Sequence, residues 1–143
     1  MPTSLSDDEL AAYFALRRAS DRLTRAVTAQ LRQFDLTEVQ FTILAQLDAT
    51  EEGLPMSQIA RAIIGSKSGL TYQITRLADR GLVARLSDPH DERSVRVALT
   101  TDGATLLARV MPAHITLVRD LFLDRLTRID AAALRDTLES IGR

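Results

Sequence analysis

Between Lys67 and Arg80 two kinds of side chain alternate at helical spacing. Leu70, Ile74 and Leu77 stand at i, i+4 and i+7, the stripe a helix turns toward a core. The opposite face carries Lys67, Ser68, Thr71, Tyr72, Thr75 and Arg76. Hydroxyls, a phenol and two cations suit hydrogen bonding to base edges and to phosphates. A solvated helix face usually mixes Glu with Lys, yet here the first acid is Asp79, at the far end. That absence favours contact with nucleic acid over plain solvation. Gly69, near the expected helix start, would let backbone approach a duplex closely, at about 1 kcal/mol of helix propensity relative to Ala.

A second candidate lies in Ser87-Asp88-Pro89-His90-Asp91-Glu92-Arg93-Ser94, rich in turn formers and charge. An exposed Arg93 could reach into a minor groove, where the potential is most negative. Asp91 could hold that guanidinium through a charge-assisted bond. A solvated turn with an ordinary surface ion pair explains the tip equally well. His90, Asp88, Asp91 and Glu92 share this loop, but adjacent residues on one turn rarely converge on an ion, so no metal is expected. His114 is the only other histidine. No nucleophile with a nearby base, no phosphate-cradling glycine loop and no dinucleotide fingerprint is visible. The reading is therefore of a non-enzyme without a cofactor.

The elements that must position these groups follow from periodicity and caps. Ser6-Asp7-Asp8-Glu9 has capping-box spacing and precedes Leu10, Tyr13, Phe14, Leu16, Leu23, Val27 and Leu31, one amphipathic helix from about Asp7 to Gln33. A helix this long exceeds what a small core covers, so part of its stripe should meet a partner chain. Thr37 opens a second helix with Gln40 as its box partner, and residues 51–55 read as a loop. A short helix begins at Ser57. The polar-faced helix is predicted from an N-cap at Ser66 to Arg80, with Gly81 as its left-handed terminator. Leu82–Leu86 and Val95–Leu99 alternate as two strands of a hairpin with a long polar tip. Thr100-Thr101-Asp102 starts another helix, which Pro112 should kink or interrupt near Val110–Met111. Asp130 caps a last one.

The 143 residues and 45% hydrophobic content fit one soluble domain with a real core. The N-terminus is polar and then acidic, without the apolar run of a secretory signal. With no cysteine there is no disulfide framework and no cysteine redox switch, and a cytoplasmic setting is expected. The formal net charge of −1 argues against a nucleic-acid binder only until it is localised. Residues 1–56 hold five bases and nine acids, residues 57–96 hold seven and four, and residues 97–143 hold six and six. The positive charge sits in the middle, and local charge is what a phosphate backbone would meet.

Helix, turn, helix and two-stranded hairpin together make a winged helix-turn-helix. From Met56 to Gly103 the chain resembles the MarR family, the multiple-antibiotic-resistance regulators. The matching pieces are Ser57-Gln58-Ile59-Ala60, the run from Gly65 to Thr71, Arg80-Gly81-Leu82-Val83, Asp91-Glu92-Arg93, and Val97 to Gly103. The most specific is Asp-x-Arg followed by a β run ending in Leu-Thr-x-x-Gly. The first and last two helices also match the family's dimerisation region.

The resemblance implies a mainly α fold with a small β-hairpin wing: dimerisation helices at 1–35 and 101–143, and a DNA-binding region at 36–100 with its wing at 82–99. It implies a homodimer, a repressor of transcription, reading half-sites roughly 34 Å apart on a near-palindromic double-stranded operator. The DNA-binding set would be Ser57, Ser66, Lys67, Ser68, Gly69, Thr71, Tyr72, Thr75, Arg76, Asp91, Arg93 and Arg96. A small aromatic or phenolic ligand would weaken DNA affinity, with Phe14, Phe41 and His114 as candidates for its pocket. Tyr72 and Gln73 stand where Arg and Leu are more usual in the family, which bears on the target sequence. A winged-helix module that binds protein instead of DNA is the alternative.

Overall fold

The Ser6 hydroxyl accepts a hydrogen bond from the Glu9 N–H at 3.1 Å, while the Glu9 carboxylate accepts from the Ser6 N–H at 2.7 Å. This reciprocal cap opens α1, Asp7–Arg32. The computed structural model describes residues 3–63, 69–88 and 90–142, the side chains of Glu92 and Arg93 excepted. After α1 come α2 (Glu38–Leu47), β1 (Leu54–Pro55), α3 (Met56–Ala62), α4 (Leu70–Asp79), β2 (Val83–Asp88), β3 (Asp91–Leu99), α5 (Thr101–Leu121), a short 3-10 turn (Leu123–Arg125) and α6 (Ala131–Ile141). This is the winged-helix order read from the sequence, mainly α with a small sheet.

The chain divides into two compact units. One comprises Met1–Ala26 and Ala113–Arg143, the other Val27–Pro112, so α1 and α5 contribute to both. The unit Val27–Pro112 holds the core. Ile43, Leu44 and Leu47 of α2, Ile59 of α3, Ile74 and Leu77 of α4, Val97 of β3 and Val110 of α5 are all buried there. Each such side chain contributes about 1.5–3 kcal/mol by leaving water. In the other unit the apolar residues of α1 stay largely exposed, Tyr13 and Phe14 at 48% each, and so does Ile141 of α6 at 66%. Among the described residues no helix is long and apolar enough to cross a membrane.

Four local expectations need correction. Residues 51–55 are not all loop, because Leu54 and Pro55 pair with Val97 and Arg96 and give an antiparallel sheet of order β1-β3-β2. The wing tip is shorter than the sequence suggested, since β2 continues to Asp88 and β3 starts at Asp91. Its register slips between Ser87↔Val95 and Asp88↔Asp91, so the polar residues expected in a loop form a bulged strand instead. The Asp88 carboxylate accepts from the His90 N–H at 2.9 Å and tightens the turn. Pro112 does not interrupt α5, which runs unbroken from Thr101 to Leu121. A proline removes a single ladder bond, and Leu107 and Val110 just before it anchor the helix in the core.

The fourth correction concerns α4. The helix begins at Leu70 rather than Ser66, because Gly69 sits at its N-cap with φ 84°, outside the right-handed helical region. The glycine is a left-handed joint rather than a helix residue, and the helix-propensity cost does not apply. The Ser66 N-cap itself lies outside the described residues.

Candidate nucleic-acid interface

α4 is fixed at its C-terminal end and along its inner side. Ile74 and Leu77 are fully buried and Leu70 is half-buried, as their spacing requires. At its end, Gly81 adopts φ 73°, its N–H donates to the Ala78 carbonyl at 2.9 Å, and the Leu82 N–H donates to the Leu77 carbonyl at 3.0 Å. This is the left-handed termination expected of Gly81. Thr100 secures the same corner: its hydroxyl donates to the Gly81 carbonyl at 2.6 Å and accepts from the Gly103 N–H at 3.0 Å. On α2, Thr37 and Gln40 form the reciprocal cap read from the sequence. The buried Gln40 side chain also donates to Gln73 Oε1 at 3.1 Å, locking the rotation of α4 on α2.

The outward face is thereby determined. Thr71, Tyr72 and Arg76 are exposed, Tyr72 at 59%. The Arg76 guanidinium lies 5.8 Å from the Tyr72 ring centroid, and its Nη1 donates to the Tyr72 hydroxyl at 3.4 Å. Phenol and cation therefore form one preorganised unit, and the cation is attracted to the ring face. Thr75 has a different task from the one expected. Its hydroxyl donates to the Thr71 carbonyl at 2.9 Å and accepts from Arg85 Nη2 at 2.6 Å. It holds Arg85 of β2 alongside α4, and the donor it would offer a base is already used.

Arg85 is the residue that sequence reasoning counted as charge but did not place. Strand alternation puts it on the same face as the buried Val83, so the sequence carried no signal of its exposure. Arg96 departs from expectation too. Its Nε donates to the Glu52 carbonyl at 3.3 Å, its Nη2 to the Gly53 carbonyl at 2.8 Å, and its Nη1 lies 3.8 Å from the Asp88 carboxylate. The half-buried guanidinium thus ties the wing to the turn before β1.

The other predicted residues fall as follows. Ser57 is exposed in the first turn of α3, and Asp91 is exposed at the start of β3. Arg93 lies on β3 in the bulged stretch, with its side chain outside the described residues, as are Ser66, Lys67 and Ser68 altogether. The ligand-pocket candidates are divided. Phe41 is 8% exposed in the core of the unit Val27–Pro112, where its ring is a packing element. Phe14, exposed on α1, and His114, half-buried on α5, belong to the other unit.

The site is thus a helix with a carboxylate-free polar face from Thr71 to Arg76, flanked by Arg85 and followed by a two-stranded wing. Comparison with known proteins agrees with it. A family model described as MarR family matches residues 36–95, from the residue before the α2 cap well into β3. Over 110 residues the chain is 34% identical to the HTH-type transcriptional regulator PecS of Dickeya dadantii, a match covering 74% of this chain and 65% of PecS. The crystal structure of AbsC, a MarR family transcriptional regulator from Streptomyces coelicolor, superposes with a TM-score of 0.87 at 33% identity, over 99% of this chain and 96% of AbsC. That of Sco3205, a MarR family regulator from the same organism in complex with DNA, also gives 0.87, at 26% identity, over 99% of this chain and 90% of the other. With its winged-helix order, its fixed polar helix and a 33%-identical regulator matched along almost its whole length, this chain belongs to the MarR family.

Proposed function

We propose that the chain is a sequence-specific, DNA-binding regulator of transcription that acts as a homodimer and represses its target. The observation that carries this reading is the exposed face of α4, where Thr71, Tyr72 and Arg76 stand without a carboxylate and Arg85 extends the positive field. Residues 36–100 bind DNA in this reading, with α4 in the major groove and Arg93 of the wing directed to the minor groove. Residues 1–35 and 101–143 pair with a second copy. Support for the pairing comes from Leu10, Tyr13, Phe14 and Leu16 on α1 and Ile141 on α6, large apolar side chains left exposed. The setting is the cytoplasm, and a small ligand that prefers the DNA-free state would release the operator by population shift.

The experiment is a titration of the purified protein against labelled DNA from directly upstream of its own gene and against scrambled DNA, at two salt concentrations. Tight binding to the native fragment, weakened steeply by salt, is the expected result. Arg76→Ala and Arg93→Ala should each lower affinity and flatten the salt slope. Equal affinity for both fragments, followed by no enrichment from a genomic DNA library, would refute the reading.

A further inference from the structure

We propose that the cleft between the α1–α2 turn and the end of α4 receives a backbone phosphate of DNA flanking the bases read by α4, with Arg32 and Arg76 as its ligands. The inference rests on the regulator reading above and extends its interface to an element the sequence did not implicate.

The cleft has a volume of about 420 Å³ and lies wholly within the unit Val27–Pro112. Arg32, Arg76 and Arg80 line it together with Thr37, and the carboxylate among its lining side chains belongs to Asp35. Three guanidinium groups against one carboxylate leave a local excess of two positive charges, where the whole chain carries −1. Such a hollow concentrates anions. Thr37 is the N-cap of the ten-residue α2, so the positive end of that helix opens on the same space.

The three arginines are not equivalent. Arg80 is fixed in place: its Nη1 donates to the Asp35 carbonyl at 2.6 Å and its Nη2 to the Phe34 carbonyl at 3.4 Å. It shapes the wall and contributes charge. Arg76 stands on the polar face of α4 and lines the cleft as well, so whatever strand α4 meets passes the cleft mouth. The side chain of Arg32, exposed in the last turn of α1, makes no hydrogen bond or ion pair among the described residues. A basic residue there stabilises a helix end merely by facing its dipole. That role predicts a change in melting temperature and none in salt dependence, so the two accounts can be separated.

The test uses the full chain and a DNA fragment it binds, titrated across salt for wild type, Arg32→Gln and Arg32→Lys. Loss of one phosphate contact per subunit should make the slope of log K against log salt shallower by about 1.8 in a dimer, which is about 30-fold in affinity at 0.15 M salt. Arg32→Lys should restore the slope, and the melting temperature of Arg32→Gln should stay near wild type. Neutral methylphosphonate linkages just outside the read bases should weaken wild type more than Arg32→Gln, which keeps only the Arg76 contact. Wild-type slope and affinity in Arg32→Gln, beside retained preference for the native fragment, would overturn this inference and leave the regulator standing. Failure of Arg32→Lys to rescue would assign Arg32 a structural role and overturn it too. Wild type without salt-dependent binding to any DNA would remove both.

Discussion

Gly53 and Gly81 share a backbone conformation and differ in surroundings, so replacing each by alanine separates a conformational cost from a steric one. Gly53 has φ 79° and Gly81 has φ 73°. An L-residue in that region costs about 1–2 kcal/mol. At Gly81 nothing lies within 4 Å of the added Cβ, so Gly81→Ala should lose only that amount. At Gly53 the Cβ would lie 2.5 Å from the Val97 carbonyl oxygen and 2.9 Å from its carbon. Both are backbone atoms of β3 and cannot rotate aside. Relief requires β1 to withdraw from β3, weakening the Leu54↔Val97 pairing and the Arg96 bonds to Glu52 and Gly53. Overpacking of this kind adds about 1–3 kcal/mol. Gly53→Ala should therefore cost about 2–5 kcal/mol in all, a large part of the roughly 5–15 kcal/mol that holds a domain folded.

Urea unfolding at one fixed protein concentration measures the difference, followed by circular dichroism because the chain has no tryptophan. A gap of at least about 1 kcal/mol is expected, Gly53→Ala being the worse. Equal stabilities within about 0.5 kcal/mol would refute the steric reasoning and the rigidity of the β1–β3 contact with it. Because Arg96 anchors the wing through Gly53, the same variant should also bind DNA more weakly where it is still folded.

Further outcomes follow from the two faces of α4 and from its supports. Ile74→Ala should cost about 2–5 kcal/mol by denaturant unfolding, whereas Tyr72→Ala should stay within about 0.5 kcal/mol of wild type and lower specific DNA affinity in a gel-shift titration. Thr37→Ala removes the α2 cap and should cost about 1 kcal/mol, read as a lower urea midpoint. Arg85→Ala frees the Thr75 hydroxyl without opening a cavity. Its melting temperature should barely move, while its salt slope for DNA binding becomes shallower.

What could be read from the sequence was what short-range rules decide. The Ser6 and Thr37 caps, the inward Leu70, Ile74 and Leu77, and the left-handed Gly81 all follow from residues within one or two helical turns. What escaped depends on partners far along the chain. Leu54–Pro55 is too short, and too burdened by proline, to look like a strand, and it exists because β3 lies beside it, with Leu54 pairing Val97 and Pro55 pairing Arg96. Arg96 has a structural task that the sequence did not show, because the carbonyls that accept its donors belong to Glu52 and Gly53, more than 40 residues upstream. Thr75 looked free until Arg85 was seen against it. Types and faces were legible in this way, and the division of labour among the arginines was not, because every arginine carries the same charge and only tertiary neighbours assign its task.

The sheet order has a consequence for solubility. β3, nine residues long, is the strand best able to recruit a foreign chain, and its central place engages both of its edges near Val97. On one flank the outer edge is only two residues long and includes a proline, which has no N–H to offer an incoming strand. On the other, β2 is six residues long and carries the charges of Arg85 and Asp88. A protein that must keep a hydrogen-bonding ribbon extended into solvent thereby leaves little edge on which cross-β aggregation could start.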